Sequence, residues 1–188
     1  STWDIPQTVT VTSVDDAVVE GDHTALVFHS AVGGGYDGVS IANVVANITD
    51  DDTATVTVTE SGGSTDVAEG GANDTYTVVL DLEPSGTVTV TVSPDAEVTV
   101  NTSTLTFTTG DWSSAQTVTV TAFDDAVYEG AHTGTITHSA SGGAYDSASI
   151  ANVVANITDD ETPPAEVLEQ LEYRWYQNVD AVQPTTPL

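Results

Sequence analysis

The sequence predicts an all-β protein built from tandem copies of an antiparallel seven-stranded β-sandwich. Three observations carry that expectation: a long internal repeat, runs of Val/Thr alternation, and turn-forming separators between them. Trp3 to Asp52 realign on Trp112 to Glu161 without gaps at a constant offset of 109, with about two-thirds of the positions identical. A period of that length is one whole domain and not one coil of a solenoid. Thr53–Glu161 therefore reads as a complete module, residues 1–52 as the C-terminal part of a truncated one, and residues 162–188 as a linker and the start of a further segment.

Within the module each strand has its own period-two signal. ATVTVTE (54–60), TYTVVLDL (75–82), GTVTVTV (86–92), STLTF (103–107) and QTVTVTAF (116–123) place Val inward and Thr outward. HTGTITHSA (132–140) and ASIANVVANIT (148–158) complete the seven, and the first 52 residues repeat only the last three. The separators SGGSTDVAEGG, EPSG, SPDAE, TTGDW, DDAVYEG and SGGAYD carry turn chemistry. The stretch AEVLEQLEYRWYQN after Thr162-Pro163-Pro164 fits a helical stripe and a strand alternation alike, and the start of another module is the favoured reading.

Composition removes several function classes. The 188 residues include no Cys, so disulfides and thiolate sites are excluded. Against 29 Asp and Glu stands one basic residue, Arg174, for a net charge of -28. Nucleic acid and anionic membrane surfaces are excluded as partners, since both require Lys and Arg. No apolar run reaches the ~18 residues of a membrane span, and any secretion leader lies outside this stretch. Such charge destabilises a compact state through self-repulsion unless cations offset it.

Strand counting sorts the acids. If seven strands alternate in direction, the loops after the first, third and fifth share an end with the close of the seventh. That upper end receives twelve acids of the module and the lower end four, Asp81, Glu83, Asp111 and Asp146. Solubility alone would spread charge over both ends. Calcium, with its ~6–8 oxygen ligands from flexible loops, fits better than magnesium, and zinc calls for His or Cys. A solvated acidic rim is the alternative.

The string TLTFTTGDWSSAQTVTVTAFDDAVYEGAHT, the VAEGG turn after the first strand and the closing ANITDDE resemble the Calx-beta domain family, over Thr53–Glu161 in full and over residues 1–52 as a back half. The resemblance implies an Ig-like Greek-key sandwich that binds Ca2+ at its acidic end. By position it places ligand roles on Glu69, Glu97, Asp124, Asp125, the Val127 carbonyl, Glu129, Asp159, Asp160 and Glu161. In the truncated module the matching positions are Asp15, Asp16, the Val18 carbonyl, Glu20, Asp50, Asp51 and Asp52. His132 and His23 replace an acid the family often carries three positions after the loop Glu, and the third-strand loop has EV where the family has DY. Both departures imply fewer or weaker calcium sites.

Other constellations carry less. His132 and His138 lie six residues apart on one strand, roughly 20 Å at ~3.3 Å per residue, and so cannot share a metal; outward polar positions are expected for them. The chain has no Gly-x-Ser-x-Gly elbow and no phosphate-cradling Gly loop with a Lys. Its adjacent Asp pairs sit on loop tips without an aromatic groove, unlike the paired carboxylates of glycosidases. No catalytic residue and no enzymatic activity is expected. The Thr rows suit any solvated strand face, and ice binding is disfavoured. Asn47, Asn73, Asn101 and Asn156 open glycosylation sequons that matter only in a glycosylating host. The expected role is a calcium-stiffened spacer, stalk, adhesin or filament segment of a secreted or cell-surface bacterial protein. Its partners would be neighbouring modules of the chain or neighbouring subunits. The alternative is an adhesive module that binds a glycan or protein itself, which an exposed aromatic patch around Trp3, Trp112 or Tyr145 would favour.

Overall fold

β-branched Val and Thr suit a pleated, half-buried surface, and in residues 56–158 their runs pair into two sheets. The computed structural model describes residues 4–165. In chain order its strands are β1 (Val18–Val19), β2 (His23–Val27), β3 (Val44–Ile48), β4 (Val56–Glu60), β5 (Thr65–Ala68), β6 (Asp74–Leu80), β7 (Glu83–Pro84), β8 (Val88–Pro94), β9 (Val98–Val100), β10 (Thr104–Phe107), β11 (Gln116–Ala122), β12 (His132–Ser141) and β13 (Val153–Thr158). One sheet has the order β4-β6-β11-β9 and the other β10-β8-β12-β13-β5. The protein is an all-β sandwich.

All seven runs expected from alternation form strands, and three short ones are added: β5 and β7 inside segments that read as separators, and β9 directly after SPDAE. After β4 pairs with β6, the chain crosses to the other sheet and runs parallel to β13 as β5. In the same way β8 lies in the five-stranded sheet, β9 pairs with β11 in the other, and β10 returns beside β8. Strands of three or four residues flanked by Gly, Pro and Asp show too little alternation to stand out. The first switch is pinned by side chains: Ser61 donates to Asp74, Asp74 accepts from the Asp66 amide at 2.9 Å, and Ser64 donates to Asp66 at 2.6 Å. Both carboxyls are held below the usual range, by the Ser61 hydroxyl at Asp74 and the Ser64 hydroxyl at Asp66.

Alternate residues of both sheets fill one core, among them Tyr76, Val78 and Leu80 of β6, Val88, Val90 and Val92 of β8, and Val118 and Val120 of β11. Fully burying each Val contributes roughly 1.5–3 kcal/mol. Tyr145 closes the lower end, buried, with its hydroxyl donating to the Leu82 carbonyl at 2.8 Å. Beside it Gly142 has φ +83°, and a Cβ there would stand 2.6 Å from the Thr87 carbonyl oxygen, so only glycine fits. Two of the lower-end acids cap their own turns, Asp111 accepting from the Thr108 amide and hydroxyl and Asp146 from the Gly142 amide. With Tyr145 buried and Trp112 packed against the core, neither builds the aromatic patch that would favour an adhesive module. Trp3 lies outside the described residues, as does almost all of the AEVLEQLEYRWYQN stretch.

The first copy behaves differently. Its β2 and β3 form a two-stranded antiparallel sheet, but residues 7–12, QTVTVT, form no strand, although the same six residues open β11. In β11 that string is held by β6 on one side and β9 on the other. Among the described residues, no strand pairs with residues 7–12. The first copy's contact with the complete module runs through β1, which pairs in parallel with β7 at Val18↔Glu83 and Val19↔Pro84. Ser85 donates its amide to the Val19 carbonyl at 3.1 Å, and the Val19 side chain is buried in the module's core.

Candidate metal centre

Three elements build the upper end of the module: the turn after β5, the loop between β11 and β12, and the residues after β13. Glu69 directly follows β5, and its amide donates to the Thr158 carbonyl at 3.0 Å, which places it level with the end of β13. Asp159 then ties the loop down. Its carboxylate accepts from the amides of Glu129, at 2.6 Å, and Gly130, and from the Glu161 amide at 2.9 Å. Burial pushes the Asp159 carboxyl up, but these amides outweigh it and hold it at about 2. Asp125 makes a local turn by accepting from the Val127 amide at 2.7 Å. Asp95 likewise accepts from the amides of Glu97 and Thr135. These acids organise backbone.

Other carboxylates are left without such work. Glu69 is only 2% exposed, and neither of its oxygens has a hydrogen-bond partner. Burial pushes its carboxyl up, and the charge of Asp159 adds to it. Oε2 of Glu161 is buried and unpartnered as well. A hydrogen bond with Asp159, burial, and the charge of Asp160 push the Glu161 carboxyl up to about 7. Oxygens of Glu69, Asp159, Asp160 and Glu161 lie within 4.8 Å of one another. Gly70, at φ +57°, lets them approach: a Cβ there would lie 3.0 Å from Asp160 Oδ2 and 3.7 Å from Asp124 Oδ2. A buried charge without a partner is strongly unfavourable, and a hard cation relieves it. The all-oxygen donor set and the orphaned Glu69 and Glu161 oxygens fit calcium.

Of the expected ligands, the structure gathers Glu69, Asp159, Asp160 and Glu161 in that group, and Asp124 approaches it only across Gly70. Glu97 and Glu129 face His132 instead, each with an oxygen 3.5 Å from its Nε2. Val127 is exposed. In the first copy Asp50, Asp51 and Asp52 group within 4.8 Å. Asp50 repeats the clamp of Asp159, accepting from the amides of Glu20 and Gly21 at 2.7 and 2.6 Å. Asp16 accepts from the Val18 amide at 3.0 Å. Burial and the charges of Asp50, Asp51, Asp15 and Asp16 push the Asp52 carboxyl up, and Glu20 lies 3.8 Å from His23.

The histidines differ from expectation. They share strand parity with Gly134 and Ile136, which are buried, so His132 and His138 face inward at the two ends of that row. His138 Nδ1 lies 2.9 Å from the Ala151 carbonyl and Nε2 2.8 Å from the Tyr76 hydroxyl. A carbonyl only accepts, so Nδ1 carries the proton and Tyr76 donates to Nε2. Burial pushes the His138 imidazole down. The buried neighbours two and four positions on were the signal for this inward parity.

No family model and no curated protein matches the chain. Among solved structures, the apo-form Calx CBD1 domain overlays at a TM-score of 0.40 and 20% identity, covering 56% of this chain and 97% of that one. CBD12 from CALX1.2 gives 0.40 and 18%, covering 55% and 44%. Domains 4 and 5 of the S-layer protein SbsC give 0.36 and 21%, covering 62% and 52%.

Proposed function

We propose that the upper acidic end of residues 53–161 binds calcium, and that the chain is a calcium-stiffened spacer of a secreted or cell-surface protein. The observation that supports this most is the Glu69 carboxylate, buried, unpartnered and grouped with Asp159, Asp160 and Glu161. Glu69, Asp124, Asp160 and Glu161 would supply carboxylate oxygens, while Asp159 holds the loop of Asp124 to Glu129 in reach. The bound ion supplies charge neutralisation, and the chain's own residues fix the geometry.

The spacer role is supported at the junction between copies. β1–β7 pairing fixes one side of the contact, and Asp50 of the Asp50-Asp51-Asp52 group accepts from the Glu20 and Gly21 amides directly after β1. Cations there would remove repulsion among these acids and leave the pairing as the rigid link. Small-angle scattering on a chain carrying two complete modules tests this. Calcium should lengthen the maximum dimension and reduce flexibility; profiles that superpose with and without calcium would contradict stiffening.

A further inference from the structure

We propose that His132 Nε2, with the carboxylates of Glu69 and Glu129, forms a second metal position that takes a borderline divalent cation such as Zn2+, with Glu97 at its rim. It shares Glu69 with the oxygen-only group but does not rest on the calcium reading, because its donor set is different in kind. Imidazole nitrogen suits zinc and related ions, whereas calcium prefers oxygen alone.

The geometry carries the inference. Nε2 of His132 faces three carboxylate oxygens, Glu97 Oε2 and Glu129 Oε2 at 3.5 Å and Glu69 Oε1 at 3.8 Å. These separations exceed the ~2.7–3.2 Å of a good N–H···O bond. They are close to the roughly 3.3 Å between donors of a tetrahedral zinc site with ~2.0–2.1 Å bonds. The spacing therefore suits an ion between the groups better than direct bonds across them. Oxygens of Glu69 and Glu129 and a ring nitrogen of His132 also lie within 4.8 Å of one another.

Two independent features prepare the site. The unpartnered Glu69 carboxylate is buried and its Oε1 points at His132. His132 Nδ1 lies 2.8 Å from the Gly130 carbonyl, which fixes the proton on Nδ1 and leaves Nε2 as the donor, the usual outer support of a metal-bound histidine. His23 repeats that support with Gly21 at 2.9 Å, and among the described residues Glu20, at 3.8 Å, is the carboxylate paired with it. The chain thus contains its own comparison site.

The test is titration of the EDTA-treated full chain with Zn2+, followed by calorimetry, and with Co2+, followed by visible absorption. Zn2+ should bind with an affinity that His132→Gln lowers at least about tenfold and His23→Gln leaves unchanged. Co2+ should give the strong absorption of a four-coordinate ion, lost in His132→Gln. On the unsubstituted chain, Zn2+ should shift the Nε2 resonance of His132 and leave that of His138 in place, which needs no variant to fold. Equal Zn2+ affinity in His132→Gln, or Zn2+ perturbing all four histidines alike, would overturn the proposal. Absence of calcium binding with the Zn2+ results intact would overturn the calcium reading and uphold this one.

Discussion

At the residue scale, Glu69 shows how position changes what a carboxylate is for. Strand counting assigns twelve acids to the upper end; of these Asp159, Asp125 and Asp95 serve as backbone anchors, and Glu69 has no hydrogen-bond partner. The sequence placed Glu69 at the right end, because strand direction alone decides that. It did not reveal the burial, since VAEGG reads as a turn while the TDVA before it is a strand against β13. Gly70 is part of the same device: any Cβ would press on Asp160. Glu69→Gln should therefore raise the melting temperature in EDTA, because an amide is far less costly to bury without a partner than a charge, and should reduce the calcium response. A lower melting temperature in EDTA would show that Glu69 stabilises the metal-free fold, contrary to its orphaned environment.

At the element scale, the two copies of QTVTVT separate propensity from pairing. The string is identical, yet residues 116–121 lie within β11 and residues 7–12 form no strand, because strand formation is a property of neighbours more than of β-branched side chains. Alternation made seven strands legible; β5, β7 and β9 were hidden because their two to four residues sit among Gly, Pro and Asp. Val9, Val11, Leu26 and Val44 of the first copy are exposed and are the apolar residues that pairing and packing neighbours would cover. Hydrogen exchange on the full chain should find amides of Val118 to Thr121 protected to near the global unfolding limit and those of Val9 to Thr12 exchanging close to the unprotected rate. Equal protection in both copies would mean that residues 7–12 are paired in solution.

At the scale of the whole molecule, a charge of -28 makes stability depend on what neutralises the upper end. Folding raises the carboxyls of Glu161, to about 7, and Glu69, and also raises the His132 imidazole through the Gly130 carbonyl and nearby Glu129. Between about pH 6.5, the ordinary imidazole value, and about 7, where Glu161 titrates, the folded chain then holds more protons than the unfolded one, so metal-free stability falls as pH rises. Below that window the lowered His138 acts in the opposite sense. The melting temperature in EDTA should drop across the window, and with saturating calcium it should rise or stay level, since the ion favours the deprotonated carboxylates. A metal-free melting temperature that climbs with pH would contradict the grouping of Glu161 with its acidic neighbours. The clustering of acids at one end was legible from strand counting. The division between anchoring and orphaned carboxylates was not, because it depends on which amides each side chain meets. The most direct measurement is the calcium-induced shift in melting temperature of the EDTA-treated chain and two variants. One site at a hundredfold excess over its dissociation constant contributes ~2.7 kcal/mol. That shift should appear in the unsubstituted chain and in Asp146→Asn, whose carboxylate caps a turn at the opposite end, and should be largely lost when Asp124→Asn and Asp160→Asn are combined. Equal shifts in all three proteins would mean that calcium only screens charge and that the upper end holds no site.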